Sequence, residues 1–252
     1  MCVLMGEHIR RQMKSESKRL LKNIRWVSFD LYETLVRAGT RDLVSYLEEL
    51  AKRHRIDVNI DELLSLREQI VKEVGRGPFI TIKERNAKVM RAIYSRLSIS
   101  EPIEPAVEFL YQKYFNCPLF DDAEATIRLL REMGFQLAVA SNCDNVMCDD
   151  ILARHGLKFD VIVTSEGVGA YKPNPAVFRV LVNRTGVEPA SILHVGDSHT
   201  ADIVGAKRAG LIACLVQRPG GIPKDPNAGI EADLVIHKLS DLPTHLIVER
   251  NH

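Results

Sequence analysis

From Asp121 onward the chain alternates short apolar runs with stretches whose apolar residues recur at helical spacing, a pattern that few folds can accommodate. The runs are Phe135–Ala140, Val161–Thr164, Ile192–Val195, Ile212–Val216 and Leu234–Ile236. They have strand length and few polar positions, as strands covered on both faces do. Helices are predicted between them near 122–133, 145–155, 175–185 and 199–209. Strand and helix repeated in this way give a parallel sheet with crossover helices. Asn174-Pro175 reads as an N-cap followed by the first helical residue, and Gly210 as a glycine stop.

An earlier apolar run, Trp26-Val27-Ser28-Phe29, stops at Asp30 and is followed by Thr34. The period then changes. Leu43, Tyr46, Leu47, Leu50, Ala51 and His54 follow helical spacing, and so do Leu63, Leu66, Ile70 and Val74. Met90, Ile93, Tyr94 and Leu97 form a third set, and Val107, Leu110, Tyr111 and Tyr114 a fourth. No strand-like alternation interrupts residues 40 to 116, so this block reads as a helical insertion separating the first strand from the rest of its sheet. The 252 residues suffice for one ordinary core plus such an insertion. The expected division is a basic N-terminal extension over 1–22, an α/β core over 23–38 and 117–252, and a helical cap over 39–116.

The 34 Lys+Arg balance 33 Asp+Glu to a net charge of +1, which argues against nucleic acid or an acidic polymer as partner and for a small molecule. The five cysteines, Cys2, Cys117, Cys143, Cys148 and Cys214, lack CxxC spacing and read as free thiols in a reducing, cytoplasmic setting. Most of them are expected to be small buried hydrophobes. No run approaches membrane-span length, and the basic first 22 residues lack the apolar segment of a secretory signal. The segment from Arg218 to Asn227, rich in proline and glycine, reads as an irregular connector.

In an open parallel sheet, ligands collect at the carboxyl ends of the strands. Four such ends carry polar groups here: Asp30 with Thr34, Ser141 with Asn142, Lys172, and Asp197 with Asp202. In that order, FDLYETL, ASN, YKPNPAVF and HVGDSHTADIVGAKRAG resemble the motifs of the haloacid dehalogenase-like superfamily, in its subgroup with a helical cap inserted after the first motif. The motifs occupy the α/β core; the cap matches by position and helicity only. The resemblance implies a doubly wound, mainly parallel Rossmann-like sheet with helices on both faces and an inserted all-helical cap. It implies Asp30 as a nucleophile giving an aspartyl-phosphate. Mg²⁺ would be held by Asp30, Asp197 and the backbone carbonyl of Tyr32, with Asp202 at the edge. Lys172 would pair with Asp30 and the phosphoryl oxygens, while Thr34, Ser141 and Asn142 donate hydrogen bonds to them.

Tyr32 departs from the phosphatase pattern, in which an aspartate two residues after the nucleophile serves as general acid and base. A phenol stays protonated at neutral pH, so Tyr32 is a candidate acid but a poor base. Glu33 is another candidate, pointing elsewhere. The expected substrate is a small phosphorylated metabolite with a good leaving group. The same tyrosine resembles 2-haloacid dehalogenases, which attack carbon without a metal. Those enzymes carry glycine where Glu33 stands and tend to have Ser-Asn near the position of Asp197. A retained second carboxylate makes most sense with a cation. A third reading is a phosphate-binding or regulatory protein with weak turnover. Arg76, between two predicted cap helices, is a candidate reader of substrate anions.

Overall fold

The computed structural model describes residues 21–38, 41–218 and 229–246. The N-terminal extension up to residue 20, Cys2 and nearly all of the connector after Arg218 lie outside the described residues.

Strand β1 (Trp26–Phe29) is followed by helices α1 (Arg41–His54), α2 (Ile60–Val74), α3 (Ile82–Arg96) and α4 (Glu104–Phe115). Then come α5 (Ala123–Glu132), β2 (Gln136–Ser141), α6 (Asn145–Arg154), β3 (Val161–Thr164), a helical turn over Ser165–Val168 and α7 (Pro175–Thr185). Strands β4 (Ile192–Gly196), β5 (Ile212–Val216) and β6 (Leu234–Ile236) complete the sheet. All six strands run parallel in the order β3-β2-β1-β4-β5-β6.

Alternation of side chains along each strand builds two cores. Val27, Phe29, Leu137, Val139, Leu193 and Val195 face α5 and α6 in one cluster. Trp26, Ala138, Ala140 and Ile192 face Val177, Phe178 and Leu181 of α7 in the other. Helices therefore cover both faces, which is why these strands are mostly apolar. The chain builds outward from β1 through β2 to β3, then returns to place β4 on the other side of β1. The crevice at this switch point lies at the carboxyl ends of β1 and β4. Asp30 and Asp197 are the residues that follow those two strands.

The helical block has its own core of Leu43, Leu47, Leu50, Leu63, Met90, Ile93 and Val107. Asn59 caps α2 by accepting from Glu62 N–H at 3.2 Å, and Thr81 with Glu84 forms a reciprocal capping box on α3. Docking onto the sheet is partly apolar: Val74, Ile82 and Tyr111 pack with Met147 and Tyr171. It is also polar. The buried carboxylate of Asp144, on the loop after β2, accepts the backbone N–H of Ile82 at 2.7 Å, that of Lys83 at 3.3 Å and the Tyr111 hydroxyl at 3.1 Å. A core carboxylate thus sits at the positive end of an insertion helix.

The helix expected over 199–209 is not uniform. Residues His199–Val204 form a π-helical turn, with Ile203 N–H reaching back to Ser198 O, and α-helix resumes at Gly205–Arg208. Such turns recur at functional sites because they re-aim a side chain, here Asp202. Asn174 does cap α7, accepting from Ala176 N–H at 3.0 Å, and Gly210 has the positive φ of a helix stop. Cys117, Cys143, Cys148 and Cys214 are free and buried. Among the described residues no helix is long and apolar enough to cross a membrane.

Candidate active site

The carboxyl ends of β1, β2 and β4 and the segment before α7 converge on one ammonium group. Lys172 Nζ donates to Asp30 Oδ1 at 2.7 Å, to Ala140 O at 2.7 Å and to Asp202 Oδ1 at 2.6 Å. An ammonium has three N–H groups, so all are spent. Lys172 is itself buried, and burial alone would lower its pKa, but Asp202 and Asp30 outweigh that and hold it firmly protonated.

Its backbone is fixed as tightly. Asn142 accepts Lys172 N–H at 2.7 Å and donates through Nδ2 to Lys172 O at 3.1 Å. The Asn142 amide therefore works mainly as a clasp on the lysine segment. The Ser141 hydroxyl is buried and makes no hydrogen bond within the protein. An unpartnered buried hydroxyl at such a site is poised for a ligand oxygen. Thr34 Oγ1 reaches Asp197 Oδ1 at 3.4 Å, and the Thr34 carbonyl is held by the Arg218 guanidinium at 3.0 Å.

Asp30, Asp197 and Asp202 each offer an oxygen within 4.8 Å of the others. Asp202 is spoken for: Oδ1 accepts from Lys172 and, at 3.2 Å, from His194 Nε2, while Oδ2 accepts Ser198 N–H at 2.9 Å. Burial opposes its ionisation, but Lys172 and His194 hold its carboxyl well below the usual range. Gly196 makes room for it, since a Cβ there would lie 2.2 Å from Asp202 Cγ. Asp197 has no such cation. Burial first, then Asp202 and Asp30, push it up to about 8. Burial and the Asp202 charge likewise raise Asp30, against the pull of Lys172. Three carboxyls around one ammonium are short of positive charge, and a hard divalent cation with oxygen ligands fits that deficit.

Tyr32 lines the same cleft and packs edge-on against Tyr114 of α4, with ring centroids 5.4 Å apart. Its hydroxyl is buried without a partner, and burial raises its pKa above the ordinary phenol value, so the proton stays on. Glu33 has φ +57°, a conformation that glycine adopts without strain, and its carboxylate accepts Ala38 N–H. That bond turns it toward the loop.

Several residues of the site do not stand out in the sequence. His194 is fully buried, neutral because burial lowers its pKa, and bridges Asp202 to Ser28 Oγ at 3.2 Å. A histidine inside an otherwise apolar strand was the available signal, because a buried imidazole needs partners. Arg67 and Arg85 come from the insertion to line the cleft. Each lies on the apolar stripe of its helix, four residues after Leu63 and four before Val89, where a cation is out of place. Arg76 is exposed and lines a separate surface groove with Ser65, Glu68, Gln69, Lys72 and Glu73. It is not among the residues that line the cleft.

Comparison with known proteins agrees with this geometry. The family model for haloacid dehalogenase-like hydrolases matches residues 24–210. Haloacid dehalogenase-like hydrolase domain-containing protein 3 of Bos taurus is 32% identical over 218 residues, 81% of this chain and 85% of that protein. Glyceraldehyde 3-phosphate phosphatase of Methanopyrus kandleri is 30% identical over 207 residues, 77% of this chain and 84% of that protein. A crystal structure of an L-2-haloacid dehalogenase superposes with a TM-score of 0.72 over 88% of this chain and 98% of its own, at 23% identity, which is a likeness of fold. The strand order, the convergent motifs and these matches lead to one conclusion: the chain belongs to the haloacid dehalogenase-like hydrolases.

Proposed function

We propose that this hydrolase is a Mg²⁺-dependent phosphatase that acts on a small phosphorylated metabolite through an aspartyl-phosphate on Asp30. The observation that carries the reading is the crowding of Asp30, Asp197 and Asp202 around a single, fully engaged lysine. A dehalogenase of this fold has no need of that extra acid.

Asp30 and Asp197, with the backbone carbonyl of Tyr32, would hold the ion, and Asp202 would act on it through water, its own oxygens being engaged by the protein. Bound there, Mg²⁺ would supply the countercharge that lets a phosphoryl group approach an anionic nucleophile. Asp30 is aimed by Lys172 and attacks phosphorus in line; the new Asp30–phosphorus bond forms as the bond to the leaving oxygen breaks, and water then cleaves the acyl phosphate. The free hydroxyl of Ser141 and that of Thr34 receive the equatorial oxygens. The Tyr32 phenol, protonated and unpartnered, can donate to the leaving oxygen, but burial makes it a weaker acid than an ordinary phenol, and the proton it gives is regained when water attacks the acyl phosphate. This favours substrates whose leaving group departs with little help, such as acyl or aryl phosphates. Buried free thiols suit a reducing compartment such as the cytoplasm.

Tyr32 is also the observation behind a second reading, in which Asp30 attacks the carbon of a 2-haloacid. One experiment divides the two. Purified protein is given acyl, aryl and alkyl phosphates with Mg²⁺ or with a chelator, and separately L-2-chloropropionate. The proposal expects phosphate release that needs Mg²⁺ and falls by at least about 10³-fold in Asp30→Asn. Chloride release that ignores the chelator would overturn it.

A further inference from the structure

The cleft above Asp30 has a volume of about 310 Å³, at the small end of ligand pockets. Its floor is made by the sheet and its roof by the insertion. The floor has no cation to spare, because Lys172 has spent every N–H. The roof holds two. Arg67 of α2 and Arg85 of α3 are half-buried, and among the described residues neither guanidinium makes a hydrogen bond or ion pair. Arg85 lies over the Tyr171 ring at 5.6 Å, and its Nε is buried with no partner. A small chamber beside Arg67 is lined by Asn86, whose Nδ2 is also buried and unpartnered. Withdrawing guanidinium groups from water without a counter-anion is costly, so such groups mark where a ligand anion completes the site.

Among the described residues, Glu33, which lines the cleft, and Asp42, which lines the chamber beside Arg67, are engaged elsewhere. The Glu33 carboxylate is turned to Ala38 N–H, and Asp42 pairs with Lys113 at 3.3 Å. The two guanidiniums are presented from helices of the roof, across the cleft from the nucleophile. A planar guanidinium recognises carboxylate or phosphate through paired hydrogen bonds.

Resting on the phosphatase reading above, we propose that the substrate is a short phosphate monoester carrying a second anionic group, and that Arg67 and Arg85 read that second group. Specificity then resides in the distance between two anions, one at Asp30 and one under the roof. A neutral ester of the same length leaves both arginines unpaired in a closed cleft and is discriminated against.

The test uses the full chain with Mg²⁺ and three two-carbon probes: 2-phosphoglycolate, 2-hydroxyethyl phosphate and ethylene glycol bisphosphate. Wild type should prefer an anionic probe, and the better of the two identifies the second group as carboxylate or phosphate. Arg67→Met and Arg85→Met should each raise KM for that probe about 10- to 100-fold, the loss expected for a charge-assisted hydrogen bond, with kcat and the hydroxyethyl ester changed less than about threefold. Arg67→Lys and Arg85→Lys, which keep the charge, should recover part of the loss and guard against a folding defect. Equal losses on the neutral and anionic esters would overturn the proposal, showing that the arginines serve the transferred phosphoryl group; so would a wild type indifferent to the second anion. Calorimetric binding of the same probes to Asp30→Asn needs no turnover. A preference for the anionic probe there, with no phosphate release from wild type on any ester, would refute the phosphatase reading and leave the anion subsite standing.

Discussion

The floor and the roof of the cleft are built on opposite principles. The side-chain polar atoms of Lys172 and Asp202 are all paired within the protein, with Asp30, Ala140 O, His194 and Ser198 N–H, and Asn142 holds the lysine segment in turn. In the insertion, Arg85 Nε and Asn86 Nδ2 are buried and unsatisfied. Preorganised dipoles lower a barrier because they need not move when charge develops. Unsatisfied donors at the roof act in the opposite sense, making the empty cleft unfavourable and the right ligand selective. On the function proposed above, one half performs the chemistry and the other chooses what reaches it.

This contrast predicts a gradient of effects. Lys172→Met leaves Asp30 and Asp202 buried together without their shared cation, and should cost about 3–5 kcal/mol in denaturant unfolding besides abolishing turnover. A stability loss below about 1 kcal/mol would show that the floor is less tightly balanced than its hydrogen bonds indicate. Gly196→Ala comes next. The new methyl would drive Asp202 out of place, for a cost of about 1–3 kcal/mol and a deep loss of activity that added Mg²⁺ does not restore.

The seam between the halves should respond less. Asp144→Ala removes the carboxylate that Ile82 N–H, Lys83 N–H and Tyr111 share, so the start of α3 should exchange its amide hydrogens faster and stability fall by about 1–2 kcal/mol. Unchanged exchange at Ile82 would mean that apolar packing alone docks the insertion. Tyr32→Phe deletes one hydroxyl and keeps the ring against Tyr114. Its loss should slow alkyl phosphates by about tenfold or more and spare acyl phosphates, since proton donation matters only for poor leaving groups; equal effects on both would remove Tyr32 as the acid. Arg76→Ala should be the mildest, with KM for every probe within about twofold of wild type, because exposed surface changes far from a site rarely register.

The fold was legible in the chain to an unusual degree, and the reason is local. Strands buried on both faces must be continuously apolar, so Ile212–Val216 announces its own limits. Asn174 and Gly210 mark helix ends through bonds and dihedral angles that involve only a few neighbouring residues. The π-helical turn at His199–Val204 left no such mark. It presents Asp202 to Lys172, which stands thirty residues earlier in the chain.

The same division holds for function. Which groups stand at the strand ends is readable from the residues alone, because a motif such as Asp30 with Thr34 is carried on one loop. How they share their charges depends on the folded chain: that Lys172 is saturated, that both oxygens of Asp202 are engaged, that Asp197 is the carboxyl left without a cation, and that Arg67 and Arg85, not Arg76, line the cleft. Charge balance at a site is a sum over groups brought together from far apart in the chain, and local sequence does not contain that sum.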